Sequence, residues 1–375
     1  MIDWKSVPTP SYVVDEDLLR KNLEQLKYVQ EQADCKILLA QKGFSLFSTY
    51  GLIGKYLAGT AASSLFEAKL GYDEMKGENH IFSPAFIDEE IDEISKICDH
   101  IVFNSFSQWN KFKDKVLSYN KSCGIRVNHG YSEIEKDIYN PCAKGSRLGV
   151  TLENFAGQDL AGLEGIHFHT MCEQNSDTLA RTLEVFEAKF GYVLKRMKWL
   201  NLGGGHHITR VDYDIKLLID CIKNIKSKYN IEVYLEPGEA IALNTGFLVS
   251  KVIDIVQNDI EICIMDTSAA CHMPDILEMP YRAEVIGADL PNKEKYTYRL
   301  AGPTCLAGDI IGDYSFRKPL KIGDRVVFCD MAHYTMVKNN TFNGFNLPNI
   351  CLYSQEKGLR VIKSFGYRDF KQRLS

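Results

Sequence analysis

The chain has 375 residues, 45% hydrophobic and 25% charged, which suits a globular protein with a large core. Its 49 acidic against 44 basic residues leave a net charge of -5, without the clustered basic excess that a nucleic-acid binder needs, and no run reaches the ~20 apolar residues of a membrane span. Nucleic acid and membrane are therefore not expected partners.

In chain order, Thr9-Pro10-Ser11-Tyr12-Val13-Val14 reads as a strand, and residues 1–14 are expected to join a β domain formed later in the chain. From Lys36 onward short apolar segments alternate with amphipathic helical stretches. They are Lys36–Ala40, His100–Phe103, Gly124–Val127, Leu163–His169, Trp199–Leu202 and Ile231–Leu235, with weaker candidates near Tyr56–Ala58 and His80–Phe82. About eight such units predict an α/β fold in which residues 15–245 form a (β/α)8 TIM-like barrel. After Ala240 the segments become short and alternating, as in Phe247–Val252, Ile260–Ile264, Arg282–Val285 and Asp324–Phe328. Residues 246–375 are expected to form a C-terminal antiparallel β domain. Eleven scattered cysteines without a CxxC pair, and a start lacking the basic and apolar parts of a signal peptide, point to a cytoplasmic chain with reduced thiols.

Chemistry in such a barrel sits at the C-terminal ends of the strands, where Lys42, His169, Gly203 to Gly205 and Glu236 all fall. A lysine there can form a Schiff base if its surroundings lower its pKa. The glycines of Asn201-Leu202-Gly203-Gly204-Gly205 let backbone N–H groups approach a phosphate, although such a run is as often a plain tight turn. Glu236, in Leu235-Glu236-Pro237-Gly238-Glu239, is suited to hold a proton on a pyridine nitrogen. Together with Lys42 these suggest a pyridoxal phosphate enzyme. His167 and His169 share one side of a strand, so a metal site with His206 and His207 is the competing reading, and a hydrogen-bonded core histidine is the preferred one for His167. Gly302-Pro303-Thr304-Cys305 offers a thiol, with Asp309 in the same loop. A lone cysteine is usually a packing residue, and Tyr334 alone is ordinary β-domain packing.

Taken in order, Lys42, Phe168-His169, Gly203 to Gly205, Glu236-Pro237-Gly238, Gly302–Cys305, Tyr334 and Thr341-Phe342-Asn343-Gly344-Phe345 resemble the fold-type III pyridoxal phosphate decarboxylases over almost the whole chain. That group includes the ornithine and diaminopimelate decarboxylases and shares the alanine racemase-like architecture. The resemblance implies an obligate homodimer with active sites at the subunit interface. Lys42 would carry the cofactor, His169 stack on its ring, Gly203 to Gly205 and Tyr334 hold phosphate, and Glu236 meet the ring nitrogen. Cys305 would enter from the second subunit as the acid, with no metal involved.

Two departures bear on specificity. Relatives place arginine after Glu-Pro-Gly where this chain has Glu239, and they have a serine near the phosphate where it has Cys172. An acid at position 239 repels phosphate and suits a cation. Glu239 and Asp275, with Asp309 as a further contact, are therefore expected to bind the amino groups of a long polyamine-like substrate, and within the group the chain most resembles the decarboxylases of carboxynorspermidine and carboxyspermidine. Asp275 reads equally well as a helix N-cap. The alternatives are a diaminopimelate or basic amino acid decarboxylase, a racemase, and a metal-dependent barrel hydrolase.

Overall fold

The computed structural model describes residues 2–375, which fall into two compact units: Asn22–Ile241, and the segment up to Lys21 together with Ala242–Ser375. The chain enters with β1 (Ser11–Asp15), which belongs to the second of these, and continues into the helix Glu16–Ala33.

The first unit is a closed parallel barrel. Its strands are β2 (Lys36–Ala40), β3 (Gly59–Ala62), β4 (Glu78–Phe82), β5 (His100–Phe103), β6 (Ser122–Asn128) with the two-residue β7 (Val150–Thr151) beside its end, β8 (Leu163–His167), β9 (Trp199–Asn201) and β10 (Glu232–Leu235). β10 pairs with β2 and β5 with β6, which closes the ring of eight. Strands such as β2 (Lys36-Ile37-Leu38-Leu39-Ala40) and β5 (His100-Ile101-Val102-Phe103) are largely apolar because helices cover the outside and side chains fill the inside. The chain makes room for one large interior group: a Cβ on Gly165 would lie 2.0 Å from the Trp199 ring, and one on Gly124 2.3 Å from it. Trp199 is packed there with Leu38, Val102 and Tyr234.

Several helices between the strands start where short polar residues cap them. Ser64 and Ser105 accept from the N–H groups of Glu67 and Gln108, and Asp214 accepts from Leu217 N–H at 2.9 Å. The strand predicted near Tyr56–Ala58 begins instead at Gly59. Only a glycine fits at that point, since a Cβ would sit 1.9 Å from the Glu78 carbonyl oxygen.

The second unit is a nine-stranded sheet formed by β1, β11 (Gly246–Asn258), β12 (Ile260–Met265), β13 (Ala288–Asp289), β14 (Tyr296–Ala301), β15 (Ile310–Phe316), β16 (Arg325–Cys329), β17 (Asn349–Ser354) and β18 (Gly358–Lys363). It runs β13-β15-β14-β12-β11-β1-β17-β18, with β16 also on β11. Pairing is antiparallel except for β1 with β17 and β12 with β14. The long β11 serves β1 and β16 with its first half and β12 with its second, across a register shift between Val252 and Asp254. Tyr12, Leu248, Met265, Tyr314 and Phe328 are fully buried in its core. Arg282–Val285 is not a strand. It lies extended beside β16 but contributes one isolated bridge, Val285 with Phe328, plus the bonds Cys329 N–H to Glu284 O and Ile286 N–H to Val327 O. No helix among the described residues is long and apolar enough to cross a membrane.

Candidate active site

A cavity with about 350 Å³ of open space lies at the C-terminal ends of the barrel strands, lined by Lys42, Ser63, Phe82, Arg126, His167, His169, Gly204 and Glu236 among others. Neighbouring strands explain why residues nearly 200 positions apart meet. β2 lies beside β10, the Ala40 N–H donates to the Pro237 carbonyl, and Gly43 packs backbone to backbone on Gly238, where a Cβ would come within 2.9 Å. The Lys42 turn and the Glu236-Pro237-Gly238 corner are thus one joint.

Lys42 extends into the cavity, exposed to it but crowded by protein on most sides. Desolvation, and then the Arg126 guanidinium, lower its pKa, while Glu236, Glu67 and Cys172 pull the other way. The preceding residue fixes the backbone. Gln41 is fully buried, donates to the Glu67 carbonyl at 2.8 Å and accepts from the Tyr50 hydroxyl at 3.1 Å.

Glu236 is held charged. Burial alone would raise its pKa, but His167, His80 and Asn201 outweigh that and take it down to about 2. Asn201 Nδ2 donates to one carboxylate oxygen at 2.7 Å and His167 Nε2 lies 3.3 Å from the other. Burial lowers the pKa of His167, so at neutral pH a neutral ring donating through Nε2–H makes this contact. His169 has its pKa lowered well below the usual histidine value by burial and by the Lys42 and Arg126 cations. Its Nδ1 accepts from the Gly204 N–H at 2.9 Å, which leaves a neutral, flat ring with its proton on Nε2. The two histidines of the HxH pair are thus engaged separately, one by Glu236 and one by Gly204.

The glycine run packs tightly rather than standing open. A Cβ on Gly203 would lie 2.6 Å from His169 Cβ, and one on Gly205 2.0 Å from the Met171 carbonyl oxygen; both residues have positive φ. Gly203 N–H donates to Asn201 Oδ1 at 2.9 Å and Gly204 N–H to His169. Two of the three amides expected at a phosphate are therefore taken up internally. Cys172 is held as a neutral thiol, its pKa pushed by burial up to about 12. Glu239 opens the short helix Glu239–Ala242, with one carboxylate oxygen 3.6 Å from His207 Nε2.

Cys305, Asp275, Asp309 and Tyr334 are all on the other unit. Cys305 is exposed, and its N–H donates to Asn343 Oδ1 at 2.8 Å. Asp275 is not the N-cap of its helix, a place Pro274 takes; its Oδ1 lies 2.5 Å from Lys338 Nζ, and Glu278 Oε2 holds the same ammonium at 2.6 Å. Asp309 is buried, its carboxylate engaged by Ser268, Ala270 and Thr304. Tyr334 opens the short helix Tyr334–Val337.

Arg126 was not anticipated. It is buried on β6, stacks over Phe82 with 4.6 Å from Cζ to the ring centre, and donates to the His169 carbonyl at 3.1 Å. Its signal in the sequence is an arginine inside the otherwise apolar run Gly124-Ile125-Arg126-Val127. Asn201 and Gln41 are likewise site residues with no assigned role in the motif reading.

The donor set fits pyridoxal phosphate: an amine of lowered pKa, a charged carboxylate able to keep a pyridine nitrogen protonated, and a neutral flat ring that adds no positive charge to the cofactor face.

Comparison with known proteins agrees. The family described as pyridoxal-dependent decarboxylase, C-terminal sheet domain, matches residues 11–332. The chain is 46% identical to the carboxynorspermidine/carboxyspermidine decarboxylase of Campylobacter jejuni subsp. jejuni, covering 99% of both chains. It is 41% identical to the carboxyaminopropylagmatine decarboxylase of Synechocystis sp., over 98% of this chain and 96% of that one. The structure superposes on crystalline carboxynorspermidine decarboxylase of Campylobacter jejuni, complexed with norspermidine, with a TM-score of 0.92 at 45% identity over 98% of this chain and 100% of the other. Diaminopimelate decarboxylase of Helicobacter pylori, at 17% identity and a TM-score of 0.83 over 99% and 98% of the two chains, shares the fold.

Proposed function

As a member of the pyridoxal-dependent decarboxylase family the chain is a pyridoxal phosphate-dependent carboxy-lyase, and we propose that its substrate is a carboxylated polyamine, carboxynorspermidine or carboxyspermidine. The observation that carries this reading is the 46% identity, end to end, with a decarboxylase named for both compounds. The acid at position 239 supports it.

When bound, pyridoxal phosphate supplies an electron-poor ring that takes up the electron pair left by departing carbon dioxide. Lys42 would bind the cofactor through its amine, which desolvation and the Arg126 cation make easier to deprotonate. Glu236 would hold a proton at the ring nitrogen, and Asn201 and His167 fix the carboxylate in place for it. The neutral His169 ring, held by Gly204, would lie against the cofactor. Tyr334 and the glycine loop would hold the phosphate, the loop by close backbone approach with the Gly203 and Gly204 amides already engaged by Asn201 and His169. Cys305 of a second subunit returns a proton to the substrate carbon after carbon dioxide has left. The working form is a homodimer in the cytoplasm, where a reducing environment suits the eleven free thiols.

Glu239 and Asp275 bind substrate ammonium groups. Asp275, with Glu278, already receives a primary ammonium, that of Lys338, which is the chemistry such a substrate presents. Carboxyspermidine and carboxynorspermidine differ by one methylene, which a pocket distinguishes by only ~1–3 kcal/mol, so both are expected to turn over.

Carbon dioxide release from carboxynorspermidine, carboxyspermidine, carboxyaminopropylagmatine, meso-diaminopimelate, ornithine and arginine tests this. Turnover led by the first two supports the proposal. Preference for the agmatine derivative, for diaminopimelate or for a simple amino acid overturns the substrate while leaving the cofactor chemistry intact. Replacing Glu239 by Gln and Asp275 by Asn should raise KM with the cofactor still bound; if neither does, these acids are not the amine site.

A further inference from the structure

Cys305 sits on a loop that the chain fastens at both ends to a single segment, Ser268–Cys271. At the far end of the loop, Asp309 is buried and its carboxylate accepts from the Ser268 hydroxyl at 2.9 Å, the Ala270 N–H at 3.2 Å, and the Thr304 hydroxyl and N–H at 2.6 and 3.2 Å. Gly302 is required for this approach, since a Cβ there would lie 2.2 Å from the Asp309 carboxylate. Closer to the thiol the anchor comes from a different part of the chain. Asn340 donates its side-chain amide to the Ala270 carbonyl at 2.8 Å and its N–H to the Cys271 carbonyl at 2.9 Å, and its Oδ1 accepts from Phe342 N–H at 3.0 Å. The turn that follows carries Asn343 and Gly344 at φ 55° and 76°. That left-handed pair turns the Asn343 side chain to the Cys305 loop, where Oδ1 accepts the Cys305 N–H at 2.8 Å.

We infer that Asn343 is the positioning residue for Cys305, and that the Thr341–Phe345 motif serves to hold that thiol's backbone on the platform built from Ser268–Cys271 and Asp309. The inference rests on the reading of Cys305 as the acid of the reaction. Within its own subunit Cys305 is the exposed cysteine among eleven, and the exposed Leu306 and Phe342 flank the joint, so it is the hydrogen bond to Asn343 that ties this residue to the rest of the subunit. Proton delivery to a carbon atom depends on placement, because errors of about an ångström are costly in rate. An acid on a loop tip needs an anchor of this kind.

The variant Asn343→Gly tests this cleanly, since glycine accepts the left-handed backbone and only the acceptor is lost. Asn343→Asp keeps an acceptor at the same atom. One hydrogen bond corresponds to about a fivefold effect. In Asn343→Gly, hydrogen exchange of the Cys305 amide should quicken about fivefold. Its kcat should fall by a similar factor, with KM and cofactor absorbance unchanged, and Asn343→Asp should recover both. Cys305 exchange at the wild-type rate in Asn343→Gly overturns the inference. So does faster exchange with undiminished kcat when Cys305→Ser is itself impaired. Full turnover by Cys305→Ser would instead sink the reading of Cys305, and the positioning role with it.

Discussion

Lys42 and Glu236 carry opposite electrostatic histories, and each yields a prediction. Lys42 has its pKa lowered below 10.5, so at neutral pH its ammonium is a destabilising charge in the apoprotein, a cost that fades as pH rises to the unfolded value. Lys42→Met should therefore raise the apoprotein's Tm at pH 7 while abolishing turnover and the lysine-linked cofactor absorbance, with the Tm gap narrowing toward pH 10.5. Retained absorbance would mean that another residue carries the cofactor. Glu236 is the reverse case. Its pKa falls from 4.5 to about 2, so its contribution to stability is complete above pH 4.5 and is lost as pH drops toward 2. Acid unfolding of Glu236→Gln should show a deficit against the parent that closes across this interval; a gap independent of pH would show that Glu236 does not stabilise through its charge. Both residues were legible because each stands in a motif at a strand end. Arg126 was not, because one arginine within an apolar strand has no spacing to betray it, and its partners Phe82 and the His169 carbonyl come from other strands. The engagement of the Gly203 and Gly204 amides was equally hidden, since a glycine run shows that backbone can approach closely but not what it approaches.

At the scale of elements, β9 and its neighbours show how tightly the barrel interior is specified. Gly165 on β8 faces the Trp199 ring at a distance no Cβ tolerates. Gly165→Ala should displace that ring at a cost of about 1–3 kcal/mol, read as a lower denaturant midpoint with little change in the cofactor's absorbance; an unchanged midpoint would show that the indole can shift freely. Strands such as β2 and β10 were visible in the sequence as bounded runs of branched apolar residues. β3 was misplaced by a few positions because Gly59-Thr60-Ala61-Ala62 has weak strand propensity, and only pairing between β2 and β4 makes it a strand. Arg282–Val285 failed for the opposite reason. Its alternation suits a strand, but it makes only a brief pairing with β16.

For the whole molecule, the proposed dimer makes a quantitative prediction. If each site takes Lys42 from one subunit and Cys305 from the other, a mixed dimer of Lys42→Ala and Cys305→Ala chains has one site with both defects and one with neither. Dissociating and remixing the two inactive proteins should then restore about a quarter of parental activity, since about half the dimers are mixed and half their sites intact. No recovery, with mixed dimers demonstrated, would show that each subunit's site is self-contained. The overall architecture was readable because barrel periodicity and the change of texture after Ala240 are properties of long stretches. The order of strands in the sheet was not, because β1, β11 and β17 come from distant parts of the chain.

That last pairing bears on how the protein is made. β1 precedes every barrel strand in the chain, yet its partners β11 and β17 begin at Gly246 and Asn349. All the barrel strands are synthesised while Ser11–Asp15 still has both edges unpaired, an apolar segment waiting through most of translation. At ~5–20 residues per second that delay lasts tens of seconds. During it the nascent chain displays a ready template for pairing with another strand, so chaperone demand should concentrate on Ser11–Asp15 and fall only when β11 and β17 emerge.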